Sequence, residues 1–405
     1  MNDATAQILL VSVIKVVLLL FLVLTAVAYL VWFERKVAAR IQGRWGPYRV
    51  GPHGLLQPLA DGVKFLMKED ATPQGVDRFL YFAAPVITLT LAISAIAMIP
   101  FGPAYIHIFG VATPLVVANI NVGLLAIFAI TSVGVYGVAL AGWSSNSKYS
   151  LLGGLRSSAQ MVSYELSLTL SIVGVLLLAG TFNVSELITR QDGFSWGFLP
   201  KWNLFNPTLP QVLGLFCYFV AAVAETNRAP FDLAEAESEL VAGYHTEYSS
   251  FKFAMFFMGE YASMITVACL ASILFLGGWL TPFPQNAAMD WTFYIPAGVL
   301  ALSGLALIVH GMRRINVFGH VVMAVLGVVL LGISFLCSRP GVIDAVQGPF
   351  WFLAKVLLVL FVYVWVRWTL PRFRYDQLMR FGWKFLFPVA LLNVVLTSLA
   401  VVMHK

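Results

Sequence analysis

Charge is what this sequence has least of. Lys, Arg, Asp and Glu make up 11% of the 405 residues, while 60% are hydrophobic; an ordinary soluble domain carries about a quarter charged residues. A water-soluble fold has no means of covering that much apolar surface, so the solvent is lipid. Cysteine is as scarce: Cys217, Cys269 and Cys337 stand far apart in hydrophobic runs. That spacing offers neither a disulfide framework nor a metal set and argues against an iron–sulfur cluster. The three read as small apolar packing residues. No phosphate-cradling loop is present, because "GRWGPYRVGP" lacks both the Walker lysine pattern and a strand–GxGxxG–helix setting. The six histidines are scattered, with no pair at ligand spacing in a span, which argues against haem. The apolar run over 8–33 is too long for the core of a cleavable leader, and Glu34-Arg35-Lys36 follows it instead of small residues. It reads as a membrane span.

What is present is a series of such runs. Stretches long enough to span recur at about 8–33, 79–99, 115–141, 162–180, 208–224, 253–277, 293–310, 321–337, 350–367 and 385–403. These predict an all-α polytopic membrane protein of about ten transmembrane helices. The net charge of +6, which in a soluble protein would suggest nucleic acid, reads here as topology. With the N-terminus outside, the inward loops are 34–78, 142–161, 225–252, 311–320 and 367–384. They hold nineteen of the 25 Lys and Arg residues. The outward segments hold Arg190, Lys201, Arg339 and Lys405, and Lys15 and Lys355 fall within spans, near outer ends where they can snorkel. This is the asymmetry of the positive-inside rule, with Arg313-Arg314 landing inside between the two weakest spans. In the first inward loop, Leu55, Leu59, Val63 and Leu66 share one helical face while Gln57, Asp61, Lys64 and Lys68 take the other. The period predicts an amphipathic helix over 54–68, lying on the membrane or packed against the neighbouring spans.

Acidic residues are fewer still, nineteen in all, yet six of them, Glu225, Asp232, Glu235, Glu237, Glu239 and Glu247, fall in "AETNRAPFDLAEAESELVAGYHTEY". Pro230 can open a new helix there, with Asn227 helping to cap it. Asp232, Glu235 and Glu239 would then share one face. A solvated acidic face is the plain reading of such a run. Against it, Phe231, Leu233, Leu240, Val241 and Tyr244 interleave the acids, and two more carboxylates sit inside spans. Glu165 lies just within the fourth, and Glu260 stands eight residues past Lys252, roughly 12 Å deeper at the helical rise. A carboxylate at membrane depth is costly unless protonated or paired, so it points to function or to a structural pair with a nearby Arg. Together the acids suggest a row of titratable sites running from an inward loop into the membrane. His245, beside them, can titrate near neutrality or simply make a hydrogen bond.

The chain closely resembles the H-subunit family of the proton-pumping NADH:quinone oxidoreductase, respiratory complex I. The resemblance rests on "ERKVAARIQGRWGPYRVGPHGLLQPLADGVKFLMKE", "GWSSNSKYSLLGGLRSSAQMVSYE", the acidic segment quoted above and "LPRFRYDQLMRFGWKFLFP". It covers nearly all of the chain outside about 284–348, where two spans look like an inserted helical hairpin added to eight family-like ones. It implies a component of a proton-translocating enzyme complex in a bacterial inner membrane. The substrate quinone would bind at the interface with hydrophilic-arm subunits, and no FMN, haem or iron–sulfur cluster would lie in this chain. The implied partners are the hydrophilic quinone-module subunits, small membrane-arm subunits and lipid, with no nucleic acid. By the same resemblance Glu34, Arg35, Arg40 and Arg44 border the quinone path, with Asp61 and Lys64 at its entrance. Glu225, Arg228, Asp232, Glu235, Glu237 and Glu239 face the quinone chamber. Glu165, Glu247 and Glu260 relay charge toward the membrane arm. The alternative is the equivalent membrane component of an energy-converting hydrogenase or a related oxidoreductase with another donor. A secondary transporter fits less well, as no repeated halves are seen, and a plain anchor leaves Glu165 and Glu260 without a role.

Overall fold

The structure, a computed structural model, describes residues 3–103, 105–108, 111–195, 198–232, 242–284, 287–312, 317–339 and 341–403. Long apolar segments form helices because a helix satisfies every backbone group within itself, as lipid requires. In chain order these are α1 (Asp3–Ile41), α2 (Gln57–Met67), α3 (Arg78–Ile96), α4 (Gly123–Ser144), α5 (Lys148–Ala179), α6 (Val184–Thr189) and α7 (Val212–Glu225). There follow α8 (Ser250–Phe275), α9 (Ile295–Met312), α10 (Val317–Cys337), α11 (Val342–Thr369) and α12 (Tyr375–Phe381), which passes through a π-helical turn at Gly382–Leu386 into α13 (Phe387–Met403). Two small antiparallel hairpins, β1 (Tyr105–Ile108) with β2 (Val111–Pro114) and β3 (Phe194–Ser195) with β4 (Leu199–Pro200), lie between spans.

Among the described residues nine helices are long and apolar enough to cross a membrane. The protein is an all-α polytopic membrane protein. The span expected over 208–224 is the exception: α7 has 14 residues, about 21 Å against a hydrocarbon core of about 30 Å. Pro207 and Pro210 block its extension backward. Gly214, Cys217, Tyr218 and the residues from Ala221 to Ala224 are buried while Val212, Leu213 and Phe216 are exposed, so one face of α7 and its second half pack within the protein. Non-helical backbone at membrane depth is tolerated in such a place. The span expected at 115–141 begins only at Gly123. That expected at 162–180 starts much earlier, at Lys148, and ends on Gly180, whose φ of 69° stops the helix.

Both lysines within spans have backbone partners. Lys15 Nζ donates to the carbonyls of Pro114 (3.0 Å) and Val116 (3.3 Å), tying the end of β2 to α1. Lys355 is buried against the end of α8. The core lies where α5, α7 and α8 meet, around the fully buried Tyr164, Tyr218, Ile172, Ala268 and Phe275. The α9–α10 pair packs chiefly on itself: a Cβ at Gly304 would stand 2.8 Å from the carbonyl oxygen of Gly327. Both helices of the expected hairpin over 284–348 are therefore present, while Arg313 and Arg314 between them lie outside the described residues.

Candidate functional site: a buried charge cluster and its cavity

Four elements converge at the end of the bundle where α1 closes and α8 opens. From α1 comes Glu34, 4% exposed; from the turn after α7, Arg228, 3% exposed. From α8 come Glu260 and Tyr261, and from the end of α11, Arg367. The Tyr261 hydroxyl donates to Glu34 Oε2 at 2.8 Å, and Arg228 Nη1 approaches the same oxygen at 3.5 Å. Arg367 Nη1 donates to Glu34 Oε1. On its other side Arg228 Nη2 lies 3.3 Å from Glu260 Oε2, and its guanidinium sits 4.1 Å over the Tyr261 ring. Two carboxylates are thus matched by two guanidiniums. That match is what allows Glu34 and Arg228 to be buried beside the partly buried Glu260 and Arg367, since an unpaired ion there would cost several kcal/mol.

The turn carrying Arg228 is locally determined. Gln160, fully buried on α5, donates from Nε2 to the carbonyls of Ala224 and Phe231, both at 2.7 Å, and so closes the turn from both ends. Asn227 stands at φ 48°, a left-handed conformation that Asn tolerates better than most residues. Phe231 stacks on Phe373 (5.5 Å, 10°) and against Tyr164 (5.7 Å), and Arg372 donates to the carbonyl of Asp232. The acidic segment therefore leaves the membrane from a fixed point. Its Asp232 is half-buried there, and Glu235, Glu237 and Glu239 lie outside the described residues.

Below the cluster a cavity of about 60 Å³ is enclosed by α3, α4, α5, α7 and α8. Glu225, Glu260, Thr88, Thr131, Asn227 and Thr266 supply its polar lining. Asn227 Oδ1 is buried without a hydrogen-bond partner among the described residues. Most of the rest of the lining is apolar, and it is at these polar groups that a water molecule, which needs two to four partners, can be held. Glu165 is half-buried on α5, accepts a hydrogen bond from Ser132 Oγ and is near enough to Glu225 for their charges to interact.

The other expected residues are placed more loosely. Arg35 pairs with Asp61 at 2.7 Å, and Lys64 reaches the same carboxylate at 3.3 Å, so α2 is tied to α1. Partial burial pushes Asp61 up, but the Arg35 guanidinium, with Lys64 and Gln57, outweighs this and holds the carboxyl below its ordinary range. The far side of α2 is tied to α8, where Ser250 Oγ donates to the carbonyls of Phe65 and Lys68. Arg40 and Arg44 are exposed, with Arg44 bonding Gln42, and neither joins the buried cluster. Glu247 is half-buried, its backbone carbonyl taking the Tyr81 hydroxyl at 2.7 Å, and it does not line the cavity. His245 is buried between Tyr244, Phe253 and Phe257. Burial pulls its imidazole down to about 4, against the opposing effect of the Asp232 charge.

Arg367, Tyr261 and Gln160 belong to the site although their sequence context does not mark them. Arg367 counts only as an inward charge, and Tyr261 looks like one more aromatic in a span. Gln160, a lone amide between "RSSA" and "MVSYE", is the clearest available signal.

A cluster of ion pairs beside a cavity, in a bundle of long apolar helices, defines a polytopic membrane protein that holds charged groups among its helices. Comparison with known proteins gives the family. The family model described as NADH dehydrogenase matches residues 14–398. The first H subunit of the NADH-quinone oxidoreductase of Solibacter usitatus is 51% identical over 96% of this chain and 96% of its own length. The second H subunit of Koribacter versatilis is 50% identical over 98% of each. The H subunit of Leptospira biflexa serovar Patoc is 43% identical over 97% of this chain and 95% of its own. The chain belongs to the H-subunit family of NADH-quinone oxidoreductase and is a membrane component of that enzyme complex.

Proposed function

We propose that this subunit walls the quinone chamber and its entrance from the bilayer, and couples quinone reduction to proton translocation through its buried carboxylates. The observation that carries the reading is the position of Glu260. It faces Arg228 of the charge cluster on one side and shares the cavity with Glu225 on the other.

Quinone reduction consumes two electrons and two protons. Electrons arriving from the donor subunits place negative charge on the quinone head before the protons follow. At the inner end of α1, α8 and α11 that charge competes with Glu34 and Glu260 for Arg228 and Arg367. When a guanidinium turns toward the substrate, the carboxylate it leaves takes up a proton, because burial disfavours an unpaired charge. Glu260 can pass that proton on through water in the cavity to Glu225, and Glu165 lies within electrostatic reach beyond it. Glu235, Glu237 and Glu239 are counted in the same row on the family resemblance alone, and Glu247 and Asp232 bias it. Arg35, Asp61 and Lys64 hold α2 beside α1 and α8, so that an apolar tail enters between them, with Arg40 and Arg44 on the rim. The N-terminus lies outside a bacterial inner membrane, with the hydrophilic partners on the arginine-rich side. The segment 284–348 is an added hairpin.

The test is a tagged copy, gently solubilised with its partners. The assembly should pass electrons from NADH to a short-chain quinone, and a quinone-site inhibitor should stop it. An intact assembly that ignores NADH would assign the chain to a relative with a different donor.

A further inference from the structure

We propose that Lys355 is a positioning residue for the charge cluster: its buried ammonium fixes α11 to the outer end of α8 and thereby sets where Arg367 meets Glu34. The inference rests on the functional reading of that cluster.

Lys355 is 8% exposed. Its three protons have three acceptors, the carbonyls of Leu276 (2.6 Å), Gly278 (2.9 Å) and Leu280 (2.7 Å). The Trp202 ring covers the same nitrogen at 4.0 Å. These carbonyls belong to the end of α8 and the turn after it, where a helix has unsatisfied acceptors and the negative end of its dipole. The local chain is shaped for this. Gly277 and Gly278 stand at φ 71° and 52°, turning the backbone so that the later carbonyls point back at Lys355. A Cβ at Gly277 would stand 2.4 Å from the indole, and one at Gly278 2.7 Å from Ile188. The preceding carbonyls are held too, Ile273 by Gln191 at 2.8 Å and Leu274 by Asn203 at 2.7 Å. Of the groups bonded to these terminal carbonyls, Lys355 is the one contributed by another spanning helix.

The same two helices meet again at the opposite end. Arg367 lies twelve residues beyond Lys355 on α11, roughly 18 Å, and Tyr261 fifteen residues before Leu276 on α8, about 22 Å. There both bond Glu34. With an outer and an inner tie, α11 cannot slide along α8 without breaking one of them. Loss of the outer tie leaves the inner geometry to carry the register alone. Packing does not explain a cation in this place, since a methionine would fill the same volume without bonding three carbonyls.

The test compares Lys355→Met, Lys355→Ala and Glu260→Gln in the assembled complex. Turnover with a short-chain quinone is read beside ferricyanide reduction, which reports electron input without the quinone step. Lys355→Met should lower kcat by about tenfold to a hundredfold, the scale of an ångström-sized misplacement. KM and ferricyanide reduction should stay unchanged. Lys355→Ala should regain turnover on addition of propylammonium, which supplies the missing atoms of the side chain. Wild-type turnover in Lys355→Met while Glu260→Gln is slow overturns the positioning role alone. Wild-type turnover in Glu260→Gln overturns the functional reading and this inference with it. If neither neutral variant assembles, Lys355→Arg decides. Turnover near wild type supports a required cation, and assembly with turnover as low as that of Glu260→Gln contradicts it.

Discussion

Arg228 shows how one side chain organises one end of this bundle. It touches Glu34, Glu260 and the face of Tyr261 at once. Removing it leaves two buried carboxylates facing each other with a single guanidinium, Arg367, remaining. Arg228→Met should therefore destabilise the protein by about 3–5 kcal/mol, the usual cost of breaking a buried pair, read as a lower melting temperature of the purified complex. His245 gives a pH prediction. Its imidazole falls from an ordinary 6.5 to about 4 on folding. The unfolded chain then binds the proton first, so stability is fully present above about 6.5 and falls as pH drops toward 4. The acid sensitivity of the wild type should exceed that of His245→Phe in thermal unfolding between pH 7 and 5. Equal sensitivity would remove His245 from the account. At this scale the sequence is a partial guide. Glu34, Arg228 and Glu260 stand out as charges next to or inside apolar runs. Arg367 and Tyr261 do not, because their importance comes from which helices adjoin, and spacing along one helix carries no information on that.

Among the elements, α2 behaves as its pattern predicts. Its polar face finds Arg35 through Asp61, and Leu59 and Leu66, each 70% exposed, are left without cover from this chain. If α2 flanks the quinone entrance, Asp61→Leu, which cuts its tie to α1, should raise the KM for quinone several-fold with little change in kcat. An unchanged KM would detach α2 from the path. The α9–α10 pair depends on the close approach of Gly304 and Gly327. Gly304→Leu should part the two helices, measurable as loss of cross-linking between cysteines placed on them, while quinone turnover persists because the pair lies apart from the charge cluster. Periodicity and run length reveal both elements. The short α7 departs from expectation for a physical reason: hydropathy reports that a segment is apolar, and a short helix with one face packed in the core is as apolar as one long enough to cross.

For the whole molecule, the uneven distribution of Lys and Arg separates two ends: Glu34, Arg228, Glu260 and Arg367 gather at the arginine-rich one, and Lys355 is buried toward the other. One stretch of acids marks the same end from the sequence alone. The cavity joining Glu225 to Glu260 is beyond its reach, since five helices must pack before such a space exists. The central claim is that those carboxylates carry protons coupled to quinone chemistry. The most direct measurement is proton uptake per NADH oxidised in inverted membrane vesicles, comparing wild type with Glu260→Gln at equal complex content. The account predicts an assembled variant whose quinone turnover is slowed and whose proton uptake is lost. Full turnover with unaltered uptake would contradict it.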